Sequence, residues 1–396
     1  MDALVSRLGL YNQRAKVYLG VLLLSIHSYL LIYINSPFLS EHLGFSDTKI
    51  SALYIAGSAL TLLILAYLPN ILAHIGNLRL SLLSIGVAII SVLGIASGNP
   101  HLASIFFILY IAAIPAIYLS FDIFLESVSP DESETGGVRT LFITIANITL
   151  ILSPFLASKL MGDGIPNYPL VYISASVVLL PLFILIISSY RHMPKEDIRT
   201  TKIHAVLSSF LKDRNLFNVY IANFILKMFY AMMVIYVPLY LHQNIGFSLQ
   251  TITSIIFPIM LLPFIFVEIP VGKIADKWLG EKEMMIIGFL IAGASTIYMA
   301  FLTSTDPFVW AFVLFATRVG ASMIEATSES YFFKHVDSSQ SDFITFYRTN
   351  NPIAYIIVPL MVGVLLPIIG YQSIFVMTGI LLFVGIDFAT KLVDTK

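Results

Sequence analysis

The chain has no cysteine in 396 residues, so it can build neither a disulfide frame nor a thiolate metal site, and no thiol can serve as a nucleophile. Charge is scarce as well: Asp, Glu, Lys and Arg fill 11% of positions, against about 25% in an ordinary soluble domain. The formal net charge is -1, and no basic patch stands outside the loops, which removes the footprint of a nucleic-acid binder. There is no phosphate-binding loop, so nucleotide hydrolysis within this chain is excluded as a driving force. The apolar stretches are continuous and not ten-residue alternations, which excludes a β-barrel. Arg7, Arg14 and Lys16 precede the first apolar run, but no small-residue cleavage site follows it, so that run is expected to remain as an uncleaved anchor.

What is present is apolar length. Hydrophobic residues make up 58% of the chain, in runs at about 16–38, 49–73, 79–98, 101–127, 139–161, 167–190, 216–242, 249–273, 283–303, 307–333, 342–368 and 371–390. Each can cross about 30 Å of hydrocarbon as a helix. Basic residues then set the orientation. Of the 22 Lys and Arg, Lys49 and Lys159 fall at outer span ends and Lys227, Arg318 and Arg348 within spans, which leaves 17 for the inner segments if the N-terminus is inside. The expectation is a multi-pass protein of the plasma membrane with both termini cytoplasmic.

The chain also repeats. Leu43-Gly44-Phe45-Ser46 returns as Ile245-Gly246-Phe247-Ser248 at an offset of 202, Pro37 as Pro238 at 201, Asp122 as Glu325 at 203, and Pro154 as Pro359 at 205. An offset that spans six helices keeps the membrane orientation, so the two copies are parallel halves. The domains expected are a six-helix half at 1–190, a cytoplasmic linker at 191–215 and a second six-helix half at 216–396. The linker is the most charged stretch; its segment IHAVLSSFLKD can form a short surface helix, and its His192-x4-Asp197 spacing has no partner motif.

Residues 268–282, EIPVGKIADKWLGEK, form the elbow between spans eight and nine. Gly272 offers a place where backbones can crowd together, and Asp276, one turn on, can face the N-terminus of another helix. The spacing Gly272-x3-Asp276-Lys277-x2-Gly280-x-Lys282 resembles the loop signature of the major facilitator superfamily, Gly-x3-Asp-Arg/Lys-x-Gly-Arg/Lys-Arg/Lys, with one extra residue before Gly280 and Glu281 in place of a base. In the matching elbow of the first half, Asn70 and His74 stand where that family has Gly and Asp. Span five reads Ser153-Pro154-Phe155-Leu156-Ala157 where the family's drug antiporters carry Gly-Pro-x2-Gly. The resemblance implies an all-α integral membrane protein, twelve transmembrane helices in two parallel six-helix halves. It also implies that spans one, four, seven and ten line a central cavity while three, six, nine and twelve face lipid. By the same resemblance Gly272, Asp276, Lys277 and His74 are gating residues: Asp276 caps span five near Gly137 to Arg139, and His74 faces span eleven.

A charge within a span is costly and marks a candidate site. Those charges fall on spans one (His27), four (Asp122, Glu126), seven (Lys227), eight (Glu268) and ten (Arg318, Glu325, Glu329). On span ten, Arg318, Ser322, Glu325 and Glu329 recur at i, i+4, i+7 and i+11 and share one face; on span seven, Asn223, Lys227 and Tyr230 do the same. Glu126 and Glu329, near inner helix ends, read as structural partners of Arg139 and of Arg348 or Lys334. His27 is a satisfied core histidine or a proton carrier, and Glu268 pairs with Lys273 or Lys277 or faces a cavity. The function expected is secondary active transport of a small organic solute by alternating access, driven by protons or another coupling ion, in a monomer with no cofactor and no metal. Asp122 and Glu325 are the proton-carrying candidates, and Lys227 and Arg318 the groups that hold the solute. Two rivals stand beside it: a sensor or scaffold on the same fold, and a membrane-embedded enzyme, for which no nucleophile or ligand cluster is evident.

Overall fold

The computed structural model of the chain describes residues 2–128, 132–162, 164–190, 210, 212–336 and 341–393. Every regular element among the described residues is helical. The long helices, in chain order, are α1 (Asp2–Ile32), α2 and α3 (47–75 and 77–96, two parts of Asp47–Ala96 broken at Gly76), α4 (Pro100–Ser127), α5 (Glu132–Met161) and α6 (Tyr168–Ser189). Then come α7 (Arg214–Ile235, carried on by Val237–Gln243), α8 (249–279, alternating α and π turns), α9 (Glu281–Ala300) and α10 (Pro307–His335). The last two, α11 and α12 (350–369 and 371–390), are the parts of Asn350–Thr390 on either side of Gly370.

Among the described residues eleven stretches are long and apolar enough to cross a membrane, the last of them Phe346–Thr390. At 1.5 Å per residue its 45 residues would reach about 68 Å, twice the hydrocarbon thickness, so the break at Gly370 makes it two crossings and the total twelve. The chain is a multi-pass membrane protein.

Local chemistry sets the helix ends. The Asn167 side chain accepts from the Leu170 amide at 3.2 Å to start α6, Asp213 from Asn215 and Leu216 to start α7, and Asp306 from Phe308 at 2.9 Å to start α10. Gly76 (φ 76°, ψ 163°) and Gly280 (φ 85°, ψ 158°) share one left-handed conformation, closed to residues with a Cβ, and lie 204 residues apart, within the drift of the repeat. Just before Gly280, residues Ala275–Leu279 form a π turn in which the Gly280 amide donates to the Ala275 carbonyl at 3.0 Å. The extra residue in the elbow motif is taken up there. The repeat recurs in backbone detail: Phe45 donates to the Leu39 carbonyl at 2.9 Å, and Phe247 to Leu241 at 3.1 Å.

Contacts divide the chain into two compact units, Met1–Phe38 with Ala56–Thr200 and Leu39–Ile55 with Thr201–Lys396. The first has its core where α1 (Val17, Val21, Leu24) meets α4 (Ile117, Phe121) and α6 (Leu179, Leu182). A methyl on Gly20 would lie 2.3 Å from the Phe121 ring, so α1 and α4 pack there on a bare backbone. The outward faces are apolar: Leu83, Ile90 and Leu93 on α3, and Val177, Leu180 and Ile184 on α6, are all exposed, as hydrocarbon surroundings require.

In the second unit α9 is pressed between α10 and α12. A Cβ on Gly320 would sit 2.4 Å from the Ala292 nitrogen and 2.5 Å from the Gly288 carbonyl; one on Gly379 would sit 2.4 Å from Ile297. These are the close-approach glycines. Gly272, expected to play that part, has open space where its side chain would be, so the crowding predicted at the elbow falls one helix further on. Residues 39–55 are tied into this unit by polar contacts. Ser51 and Tyr236 hydroxyls share a hydrogen bond of 2.6 Å, Tyr371 donates to Asp47 at 3.2 Å, Gln243 donates to Ser40 at 2.8 Å, and His242 meets Glu41. Of the linker's proposed surface helix only Phe210, Lys212 and Asp213 are among the described residues. Phe210 is buried against the rings of Tyr220, Phe332, Phe343 and Phe346, so the linker ends on an aromatic anchor.

Candidate solute and coupling site

The polar stripes of α7 and α10 meet. Lys227 donates from Nζ to Glu325 Oε1 at 2.7 Å, and Tyr230, one turn along the same face of α7, donates its hydroxyl to Glu325 Oε2 at 2.8 Å. Each carboxylate oxygen therefore has its own donor. The side chains of Lys227 and Glu325 keep 18% and 23% exposure, so the pair is sheltered yet reachable. One turn nearer the start of α7, Asn223 donates to Ser328 Oγ at 3.2 Å and accepts from Asn350 Nδ2 at 3.2 Å, which fixes α7, α10 and α11 together beneath the ion pair.

Arg318 lies two turns before Glu325 on α10 and is 1% exposed. Its guanidinium carbon stands 5.2 Å from the centre of the Phe229 ring and 5.5 Å from that of Tyr230. Its Nε and Nη1 have no hydrogen-bond partner among the described residues. Ser322, between Arg318 and Glu325, donates to the Val319 carbonyl of its own helix at 3.0 Å. The group next to both Arg318 and Glu325 is Tyr230, whose ring faces the guanidinium while its hydroxyl holds the carboxylate. Glu268 is half-buried on α8 and within electrostatic range of Tyr230.

Of the remaining candidates Glu329 and Arg348 lie within electrostatic range of Lys227; the others fall elsewhere. In the first unit His27 is fully buried, donates from Nδ1 to the Ala175 carbonyl at 2.9 Å and lies edge-on to Tyr110, while its Nε2 has no partner among the described residues. Asp122 is half-buried on α4 of the same unit. His74 is exposed and bonded through Nδ1 to the Asn70 carbonyl of its own helix at 2.7 Å. The side chains of Glu126, Arg139, Asp276 and Lys277 lie outside the described residues. Glu329 and Arg348 are half-buried. Lys334, offered above as a partner for Glu329, donates to Glu281.

Sequence reasoning missed Glu281. It is 1% exposed at the start of α9 and accepts from Ser330 at 3.2 Å as well as from Lys334, so the acid that replaces the family's usual base clamps the elbow to α10. Its signal was the odd charge itself. Tyr230 was placed on the right face, but nothing in the spacing of one helix could say that its hydroxyl ends on Glu325. Among the described residues no group of His, Asp and Glu could hold a metal ion.

The sequence profile of the Major Facilitator Superfamily matches residues 17–343 and 250–394. The chain belongs to that superfamily. No curated protein matches the sequence significantly. Among solved structures, a mutant form of the nucleoside transporter NupG superposes with a TM-score of 0.75 at 13% identity, over 95% of this chain and 99% of that one. A bacterial homolog of the human lysosomal transporter Spinster gives 0.76 at 10% identity, with 96% of each chain covered. A D-xylose-proton symporter gives 0.75 at 13% identity, with 97% of this chain and 98% of that one covered. At these identities the likeness is one of fold. Membership of the superfamily makes the protein a transporter of small solutes and not an enzyme.

Proposed function

We propose that this major facilitator protein is a proton-coupled secondary active transporter of a small organic solute, working by alternating access in the plasma membrane with both termini cytoplasmic. Its halves would be 1–190 and 216–396, joined by a cytoplasmic linker at 191–215. The observation that carries the coupling is Glu325 with one donor on each oxygen, Lys227 at 2.7 Å and Tyr230 at 2.8 Å.

The chemistry follows from that arrangement. As an anion Glu325 holds Lys227 and Tyr230 and locks α7 to α10. Once protonated it keeps a hydrogen bond but loses the ion pair, so Lys227 is released and the α7–α10 face can change shape. A proton gradient thereby biases one arrangement of the site over the other, which is what coupling requires. The similarity in fold to a nucleoside transporter and to a D-xylose-proton symporter sets the first solutes to try.

The test is uptake into proteoliposomes under an imposed pH gradient, with nucleosides, pentoses and small carboxylates as probes. Wild type should concentrate one class only when the gradient is present. Glu325→Gln should lose concentration yet still exchange labelled for unlabelled solute, because exchange needs no net deprotonation. A Glu325→Gln protein that concentrates solute with an unchanged pH profile would remove Glu325 from the coupling role.

A further inference from the structure

We infer that the transported solute is an oxyanion, a carboxylate or phosphate, and that Arg318 is its receptor. This rests on the transporter reading above and adds the chemical class of the cargo. The starting point is an imbalance within the second unit. Lys227 and Glu325 neutralise each other, and Tyr230 completes the carboxylate. Arg318, with 1% exposure, gets aromatic faces instead: Phe229 at 5.2 Å and Tyr230 at 5.5 Å from its guanidinium carbon.

Ring faces compensate the positive charge but supply no acceptor in the plane of the guanidinium, where the N–H groups point. Nε and Nη1 are left without a partner among the described residues. A buried guanidinium with unfilled donors is expensive to maintain, and its fork of N–H groups matches the geometry of a carboxylate or phosphate better than that of a neutral hydroxyl. Ser322 does not fill them, since its hydroxyl donates within its own helix. Glu268 acts on Tyr230 but makes no hydrogen bond to Nε or Nη1.

The two groups then divide the work. Arg318 takes the negative group of the solute, and Glu325 takes the proton. With a monoanion the loaded site gains one negative and one positive charge, so transport should be electroneutral. Tyr230 touches both, and so reports occupancy at Arg318 to the carboxylate.

The experiment is a binding titration of the purified full chain in neutral detergent, read by thermal shift. Probes are acetate, succinate and inorganic phosphate against uridine and D-xylose, with phosphatidylglycerol added in a separate arm. The expected result is stabilisation by at least one soluble oxyanion, weakened about thirtyfold or more in Arg318→Gln and partly restored in Arg318→Lys, which keeps the charge without the fork. If Arg318→Gln does not fold, Arg318→Lys with altered preference between carboxylate and phosphate serves in its place. Stabilisation by uridine or D-xylose alone would overturn the inference and leave the transporter reading intact. Stabilisation by phosphatidylglycerol but not by soluble oxyanions would make Arg318 a lipid site and overturn it too, as would no response to any oxyanion. Binding of an oxyanion at Arg318 without uptake in proteoliposomes would keep the site and sink the transport reading.

Discussion

Asp122 and Glu325 stand at matching positions of an internal duplication, 203 residues apart, yet their surroundings have diverged. Glu325 is held by a lysine and a tyrosine from α7. Carried back by the 201-residue offset of Pro37 and Pro238, Tyr230 falls on Tyr29 and Lys227 on Ile26; carried back by 203, Arg318 falls on Pro115, which lies inside α4. The first unit thus has the acid and the tyrosine but neither cation. Near the Tyr29 position α1 carries His27 instead, fully enclosed and bonded to a backbone carbonyl. Duplication supplied two equal frames, and the positively charged groups were placed in only one of them.

That asymmetry is easiest to break by neutralising each acid in turn. Glu325→Gln should abolish concentrative uptake, while Asp122→Asn should lower its rate and leave pH-driven accumulation in place, both measured in the same proteoliposome assay. Equal losses would mean that the two halves share the proton. A smaller effect is expected on stability. Removing Lys227 alone, as Lys227→Met, leaves Glu325 with one donor and should cost on the order of 3 kcal/mol, the low end for a broken pair that keeps some exposure. The double substitution Lys227→Met with Glu325→Leu should recover most of the lost Tm and no coupling. If the single and double mutants melt alike, the pair is not what locks α7 to α10. The smallest effect contrasts two glycines of the second unit. Gly320→Ala should destabilise by about 1–3 kcal/mol through overpacking against α9, whereas Gly272→Ala should leave the melting point unchanged. A destabilised Gly272→Ala would show that the elbow is crowded after all.

The fold was legible because its signal is additive: twenty apolar residues in a row announce a span without any knowledge of what the span touches. Helix periodicity also put Asn223, Lys227 and Tyr230 on one face, and Arg318 and Glu325 on another. Which faces meet is a tertiary fact, so the Tyr230 to Glu325 bond, the Asn223 to Asn350 link and the Glu281 to Lys334 pair could not be read from spacing. Gly272 misled for a related reason. A glycine in a motif does not reveal whether a neighbour is pressed against it, and here the neighbours crowd Gly288 and Gly320 instead. His74 was placed facing span eleven by analogy with an acid; the spacing gave no sign that its Nδ1 bonds the Asn70 carbonyl one turn back in its own helix.

The π turn at Ala275–Leu279 has a consequence for how such elbows tolerate change. Adding one residue to a continuous α-helix turns everything beyond it by 100° and lifts it by 1.5 Å, enough to rotate a packed face into lipid. Here the surplus is confined to a single wide turn, and the reversal at Gly280 follows at once. Val271 and Ala275 upstream still pack in one apolar cluster with Met284 and Met323 downstream. The elbow works as an expansion joint: its length can drift while the phase of the helices it joins stays fixed, and the spacing of a motif is free to change where its geometry is not.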